Sequence, residues 1–187
     1  MITHEGKQYA RVSDILKPFS DFSHIDEAVL KNKCDLGTHV HQAINDDINE
    51  EFPILSSAAM GYFKSYEKWK NAVSPLFIKA EQRYFCDEKM ITGCIDALIS
   101  LPGAQEPILV DFKTSVSEAG SWIMQGHLYH YLLRSNGQAV SPRIFFLKLR
   151  RDGHIPVLYE YKFSKNIMAK CNKAIDLYFK MRKVDSH

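Results

Sequence analysis

Asp111 and Lys113 stand two residues apart in the run Ile108-Leu109-Val110-Asp111-Phe112-Lys113. On a β-strand that spacing puts both side chains on one face. The rest of the run is apolar, as in a strand buried on both faces. A carboxylate and an ammonium there are costly unless they pair with each other or bind something else. On this fragment alone, a structural ion pair explains them as well as a functional one does. Asp96 changes that balance. It interrupts a second apolar run, Cys94 to Ile99, which the turn Leu101–Pro107 folds back antiparallel to the Asp111 strand. Two carboxylates brought together repel and raise one pKa, unless a divalent cation bridges them. A hard cation such as Mg²⁺ takes oxygen ligands and keeps several waters. Lys113 beside it would orient or deprotonate an attacking water, or steady developing negative charge. That is phosphodiester hydrolysis in outline.

The elements that must position these residues follow from periodicity. Asp26–Glu27 suits the start of a helix through about residue 48, and a second helix is expected over Ser56–Asn71, with Tyr62, Phe63, Tyr66 and Trp69 on one face. Residues 1–25 read as a short strand or loop leading into helix. The period then changes: 76–101 reads as two strands joined by a polar Asp-Glu-Lys turn, followed by the Asp111 strand. A helix is expected from about Glu118 to Ser135, stopped by Asn136–Gly137. A hairpin turning at Arg151-Asp152-Gly153-His154 and a final amphipathic helix behind Ser164 complete the chain. The order predicts one α/β domain, a central mixed β-sheet flanked by α-helices. Its parts are a helical portion at about 26–72, a core at about 76–161 and a C-terminal helix at about 164–183.

The residues D-(turn)-D-x-K on adjacent strands resemble the PD-(D/E)XK nuclease superfamily. Three further features narrow the resemblance to its RecB-like, lambda-exonuclease-like branch. Gly93 stands three residues before Asp96, Gln125 and Tyr129 match a Q-x-x-x-Y helix, and Gly37-Thr38-His39-Val40-His41 matches a G-T-x-x-H helix. These motifs, in order, cover Gly37 to Tyr129, roughly half the chain. The Pro of the superfamily's name is missing from the Asp96 strand. The resemblance implies a restriction-endonuclease-like fold in which His41, Asp96, Asp111 and the backbone carbonyl of Phe112 ligate Mg²⁺ or Mn²⁺. Lys113 would act on the attacking water, and Gln125 and Tyr129 would line the pocket. It also implies a DNA exonuclease in recombination, repair or replication, working on single strands or free ends, with a single-strand annealing or other recombination protein as a candidate partner. The iron–sulfur members of the branch place three cysteines late; only Cys171 is late here, so no cluster is expected.

Several residues keep two readings. Glu81 is either a solvated strand charge or a further metal carboxylate. Arg134, Arg143, Lys148, Arg150 and Arg151 are either a phosphate-binding rim or a solvated face. His39 and His41 lie about 200° apart around their helix, so both cannot reach one metal; only the resemblance selects His41. The alternatives to an exonuclease are a structure-specific endonuclease, a nucleic-acid-binding protein of the same fold without catalysis, and an α/β interaction domain whose Asp–Lys pair is structural. Composition excludes little, because 24 Lys and Arg against 22 Asp and Glu leave a net charge of +2. The four cysteines form no CxxC pair, which favours buried free thiols in a reducing cytoplasm over a metal knot. No run approaches the roughly 18 apolar residues of a membrane span, and the N-terminus lacks a secretory pattern. A cytoplasmic location without membrane contact is expected.

Overall fold

The first residues form a hairpin, β1 (Ile2–His4) and β2 (Lys7–Arg11), turning at Glu5–Gly6 with φ of 48° and 74°. The computed structural model describes residues 1–20, 26–115 and 120–184. A short helix, α1 (Val12–Leu16), and a 3₁₀ turn (Lys17–Phe19) follow. Helix α2 (Glu27–Ile48) begins as its sequence predicts: the Asp26 carboxylate accepts the N–H groups of Ala28 and Val29. Ser56 caps α3 (Ser57–Val73) in the same way through Ala59. Near the end of α2, Asp47 accepts hydrogen bonds from Tyr66 (2.7 Å) and Lys70 (2.6 Å) in the last turns of α3. The segment between the helices, by contrast, returns to His39, whose Nε2 donates to the Ile54 carbonyl at 2.8 Å. The connection therefore runs back along α2, and the two helices point the same way.

Strands β3 (Leu76–Cys86), β4 (Ile91–Ser100) and β5 (Ile108–Lys113) form the antiparallel meander read from the sequence. Helix α4 (Ser121–Ser135) carries the chain over to β6 (Arg143–Lys148), parallel to β5, and β7 (Val157–Lys162) runs antiparallel at the edge. Helix α5 (Lys165–Val184) closes the described chain. The result is a mixed seven-stranded sheet in the order β1-β2-β4-β5-β6-β7, with β3 on the other side of β4. Glu118, given as the start of a helix in the sequence reading, lies outside the described residues. The β6–β7 connection is longer than a tight hairpin, and Asp152 organises it by accepting from Arg150 and from the N–H of His154.

Helices cover both faces. Val40, Ile44, Phe63, Tyr66 and Trp69 pack with Ala97, Val110 and Phe112 under α2 and α3, while Trp122, Tyr129, Leu132 and Ile175 pack with Ile95, Leu109 and Phe146 under α1, α4 and α5. The N-terminal residues missing from the sequence-based core belong to it, since Val12, Ile15 and Leu16 are buried. The free thiols are buried at Cys86 and Cys171, half-buried at Cys94 and exposed at Cys34, which corrects the expectation of four buried ones. No described helix is long and apolar enough to cross a membrane.

Candidate active site

The edge of β4 is shared. β2 pairs with it at Ile91 and Thr92, and β5 pairs with it at Ala97, Leu98 and Ile99, so the ladder is open between. The register that sets Ala97 against Val110 places Asp96 opposite Asp111, at the point of opening. There the Asp96 carboxylate itself accepts the Phe112 N–H, at 2.7 Å through Oδ2. Side-chain alternation along β4 also slips here. Ile95 and Leu98 face one core, Ala97 and Ile99 the other. The slip lies across from Glu81, whose φ of 44° is left-handed and costs on the order of 1 kcal/mol or more for a non-glycine residue. That irregularity brings three potential ligands together. His41 Nδ1 lies 3.3 Å from Asp96 Oδ1 and 3.7 Å from Glu81 Oε1. One donor atom each from His41, Glu81 and Asp96 lies within 4.8 Å of the others.

Asp111 is 1% exposed and Lys113 Nζ stands 2.5 Å from its Oδ2. That contact is an ion pair, and among the described residues neither Asp111 oxygen has a well-formed hydrogen bond. Lys113 instead donates to Gln125 Oε1 (2.9 Å), and Gln125 Nε2 donates to the Tyr129 hydroxyl (3.1 Å). Gln125 and Tyr129, four apart on α4, therefore share the face toward the strands. Gly93 allows that approach, because a Cβ there would sit 2.6 Å from the Tyr129 ring. Gly37 plays a milder version of the role for α2, with Thr114 Oγ1 3.3 Å from where its Cβ would be.

The charges are interdependent. Burial and the Asp96 charge push the Asp111 carboxyl well above its ordinary value, against Lys113 and His41. Asp96 goes the other way: burial opposes it, but His41, Lys113 and the Phe112 N–H hold it below the ordinary range. Burial alone would lower His41, yet Asp96, Glu81 and Asp111 outweigh it and raise the imidazole to about 10. Burial, then Glu81, pushes the Cys94 thiol up to about 12.

The structure thus gathers His41, Glu81, Asp96, Asp111, Lys113, Gln125 and Tyr129, and turns His39 away. Phe112 meets the site through its amide. The five basic residues do not gather. Arg134 pairs with Glu106, and Arg143 with Glu160, both at the end of the sheet where β5 begins. Arg150 pairs with Asp152 beyond the end of β6, where Arg151 also lies. Lys148 alone stands beside Lys113, in register on the neighbouring strand. Two features escaped the sequence reading. Cys94 Sγ lies 3.4 Å from Glu81 Oε2, a position its two-residue spacing from Asp96 would have suggested. Trp122 and Phe146, stacked at 5.6 Å, form an aromatic bed 5.9 and 5.5 Å from Lys113 Nζ; Trp122, three residues before Gln125, shares its helix face.

No family model and no curated protein matches the chain. Solved structures do match. A candidate exonuclease from Eubacterium rectale aligns over 97% of this chain and 85% of its own, with a TM-score of 0.54 and 12% identity. The protein SSO0001 aligns over 97% and 79%, with a TM-score of 0.50 and 17% identity. An alkaline exonuclease from Laribacter hongkongensis reaches a TM-score of 0.48 at 6% identity. The chain shares the fold of the first two.

Proposed function

We propose that this chain is a divalent-metal-dependent nuclease that degrades DNA from an end. The observation that carries the reading is Asp96 facing Asp111 where β4 and β5 part, with Lys113 against one carboxylate and His41 against the other. Two features fit a metal: among the described residues the buried Asp111 oxygens have the Lys113 ion pair but no well-formed hydrogen bond, and His41, Glu81 and Asp96 form a mixed imidazole–carboxylate donor set. His41, Glu81, Asp96, Asp111 and the Phe112 carbonyl would hold Mg²⁺ or Mn²⁺, which would polarise a phosphoryl oxygen and acidify water.

The chain's own groups do the rest. Lys113, held by Gln125 and bedded on Trp122 and Phe146, would act on the attacking water and on the developing phosphorane charge. Tyr129 fixes Gln125 in turn. The aligned structure named as an exonuclease supports this reaction class, as does the resemblance in the sequence. Pathway and partner follow from the resemblance alone: recombination, repair or replication, beside a single-strand annealing protein.

End-labelled single- and double-stranded DNA, linear and circular, should be incubated with Mg²⁺, Mn²⁺ or EDTA. Linear substrates are expected to be degraded with either metal, and circles to survive. Efficient cutting of circles would promote the endonuclease alternative, and DNA binding without cleavage in any metal would leave a binding protein.

A further inference from the structure

A row of side chains runs from Glu81 along β3 and ends on an exposed ring. Tyr84 and Cys86 are buried in the core under α1, α4 and α5. Strand alternation therefore turns Arg83 and Phe85 to the opposite face, the one from which His41 reaches Glu81. Arg83 is exposed and stands opposite Cys94 in the register, next to the candidate metal ligands. Burial and Glu81 raise the Cys94 thiol, and the Arg83 charge acts against them. Among the described residues no carboxylate forms an ion pair with Arg83.

Phe85 comes next in the row. The imidazole of His4, on the N-terminal hairpin, lies flat on it, with ring centroids 4.0 Å apart and planes within 10°. Tyr9 closes the stack from the side at 5.0 Å. Its hydroxyl donates to Asp87 at 2.5 Å, and Lys7 pairs with the same carboxylate. The hairpin is thus fastened to the end of β3. Phe85 covers one face of the imidazole, and the His4 side chain remains 46% exposed. Of the nearby acids, Asp87 is engaged by Lys7 and Tyr9, and Glu5 lies 3.9 Å from His4 Nε2.

We propose that Arg83 and the His4–Phe85 stack hold the DNA strand that enters the candidate active site, Arg83 on a phosphate and His4 on an unpaired base. A cation beside an exposed flat ring is the combination that holds single-stranded nucleic acid, whatever its sequence. Phe85 lies four residues from Glu81, about 13 Å along the strand, which is about four nucleotides of stacked chain. A duplex keeps each base paired and between its neighbours, whereas a single strand can turn one out onto the ring. The site therefore favours a single strand over blunt duplex. This inference rests on the nuclease reading and narrows its substrate.

The test is fluorescence anisotropy with end-labelled single-stranded and blunt duplex oligonucleotides. It is run in EDTA and with Ca²⁺, which takes the same oxygen ligands as Mg²⁺. Gels check that the probe stays intact, and circular dichroism checks folding. His4→Ala and Arg83→Gln should each bind the single strand about tenfold more weakly, Arg83→Gln with a shallower salt dependence. His4→Tyr, which keeps a flat ring, should bind like the wild type, and duplex binding should not depend on His4. Three results overturn the proposal: variants that bind the single strand like the wild type, a loss at His4→Ala that His4→Tyr does not restore, or an equal loss on duplex. If the wild type still degrades linear DNA with Mg²⁺, the nuclease reading survives any of them. A wild type that neither binds nor cleaves DNA overturns both.

Discussion

The Asp96 carboxylate accepts the backbone N–H of Phe112, at 2.7 Å. A side chain thus bridges two strands where their ladder has parted, and it fixes Asp96 with Oδ1 toward His41. Asp111, across the opening, has no such support. Asp96 is positioned by the backbone, whereas Asp111 is positioned by burial and by Lys113.

That asymmetry sets the behaviour of Asp111→Asn. The folded-state pKa of Asp111 is raised, so the group favours folding fully only below its unfolded value, and that contribution is lost as pH rises through the folded value. In EDTA, Asp111→Asn should therefore melt above the wild type, with a gap that widens from pH 5 to pH 8. With Mg²⁺ the same variant should lose nearly all cleavage. Thermal melts and a nuclease assay check both. Wild-type cleavage by this variant would sink the assignment of the site.

Lys113→Met separates two roles for the lysine. Its Nζ reaches Asp111 and Gln125 and sits over two aromatic rings, but an ammonium cannot ligate a cation. Cleavage should fall by about 10²–10⁴-fold, the usual range for losing a positioned proton-transfer group, while calorimetry shows metal affinity retained. A collapse in affinity would make Lys113 chiefly a counter-ion for Asp111.

The two histidines of α2 give a paired control. His41 faces Asp96 and Glu81; His39 faces the Ile54 carbonyl. His41→Ala should weaken metal binding and activity by about tenfold or more, in line with other lost contacts at metal sites. His39→Ala should leave both unchanged. Equal losses would mean that His41 is not a ligand.

How much of this was legible depends on the range of the interaction. Asp26 and Ser56 announce their helices because a cap is a contact between near neighbours. Asp111 and Lys113 announce a shared face because strand alternation is local. Glu81 stayed ambiguous because its place depends on the β3–β4 register and on one left-handed residue, neither of which a period reveals. The five basic residues stayed ambiguous for the same reason: Arg143 and Lys148 lie only five residues apart in sequence, yet a strand of six residues sets them at opposite ends of the sheet. The N-terminal hairpin was legible only as a short strand or loop leading into helix, because its strands are three and five residues long, too short for alternation to show.

A buried histidine pair outside the site should make the fold acid-sensitive. His127 donates through Nδ1 to Ile123 O and accepts the Ser164 N–H at Nε2, which fixes a neutral ring that ties α4 to the start of α5. His130, 6% exposed, stacks on Phe163 at 4.4 Å. Burial, then Arg134, lowers it to about 4, and burial lowers His127 as well. A histidine with a depressed folded pKa stays neutral while the unfolded chain takes up a proton. Stability is therefore complete above the unfolded value near 6.5 and is lost as pH falls toward 4. His130 alone should account for roughly 3 kcal/mol of that loss by pH 4. Urea titrations of the wild type and His130→Leu from pH 7.5 to 4 test this. The variant should show the flatter pH dependence, whatever its stability at pH 7.5. Parallel curves would show that His130 takes up its proton without unfolding, through an opening of the contact with Phe163.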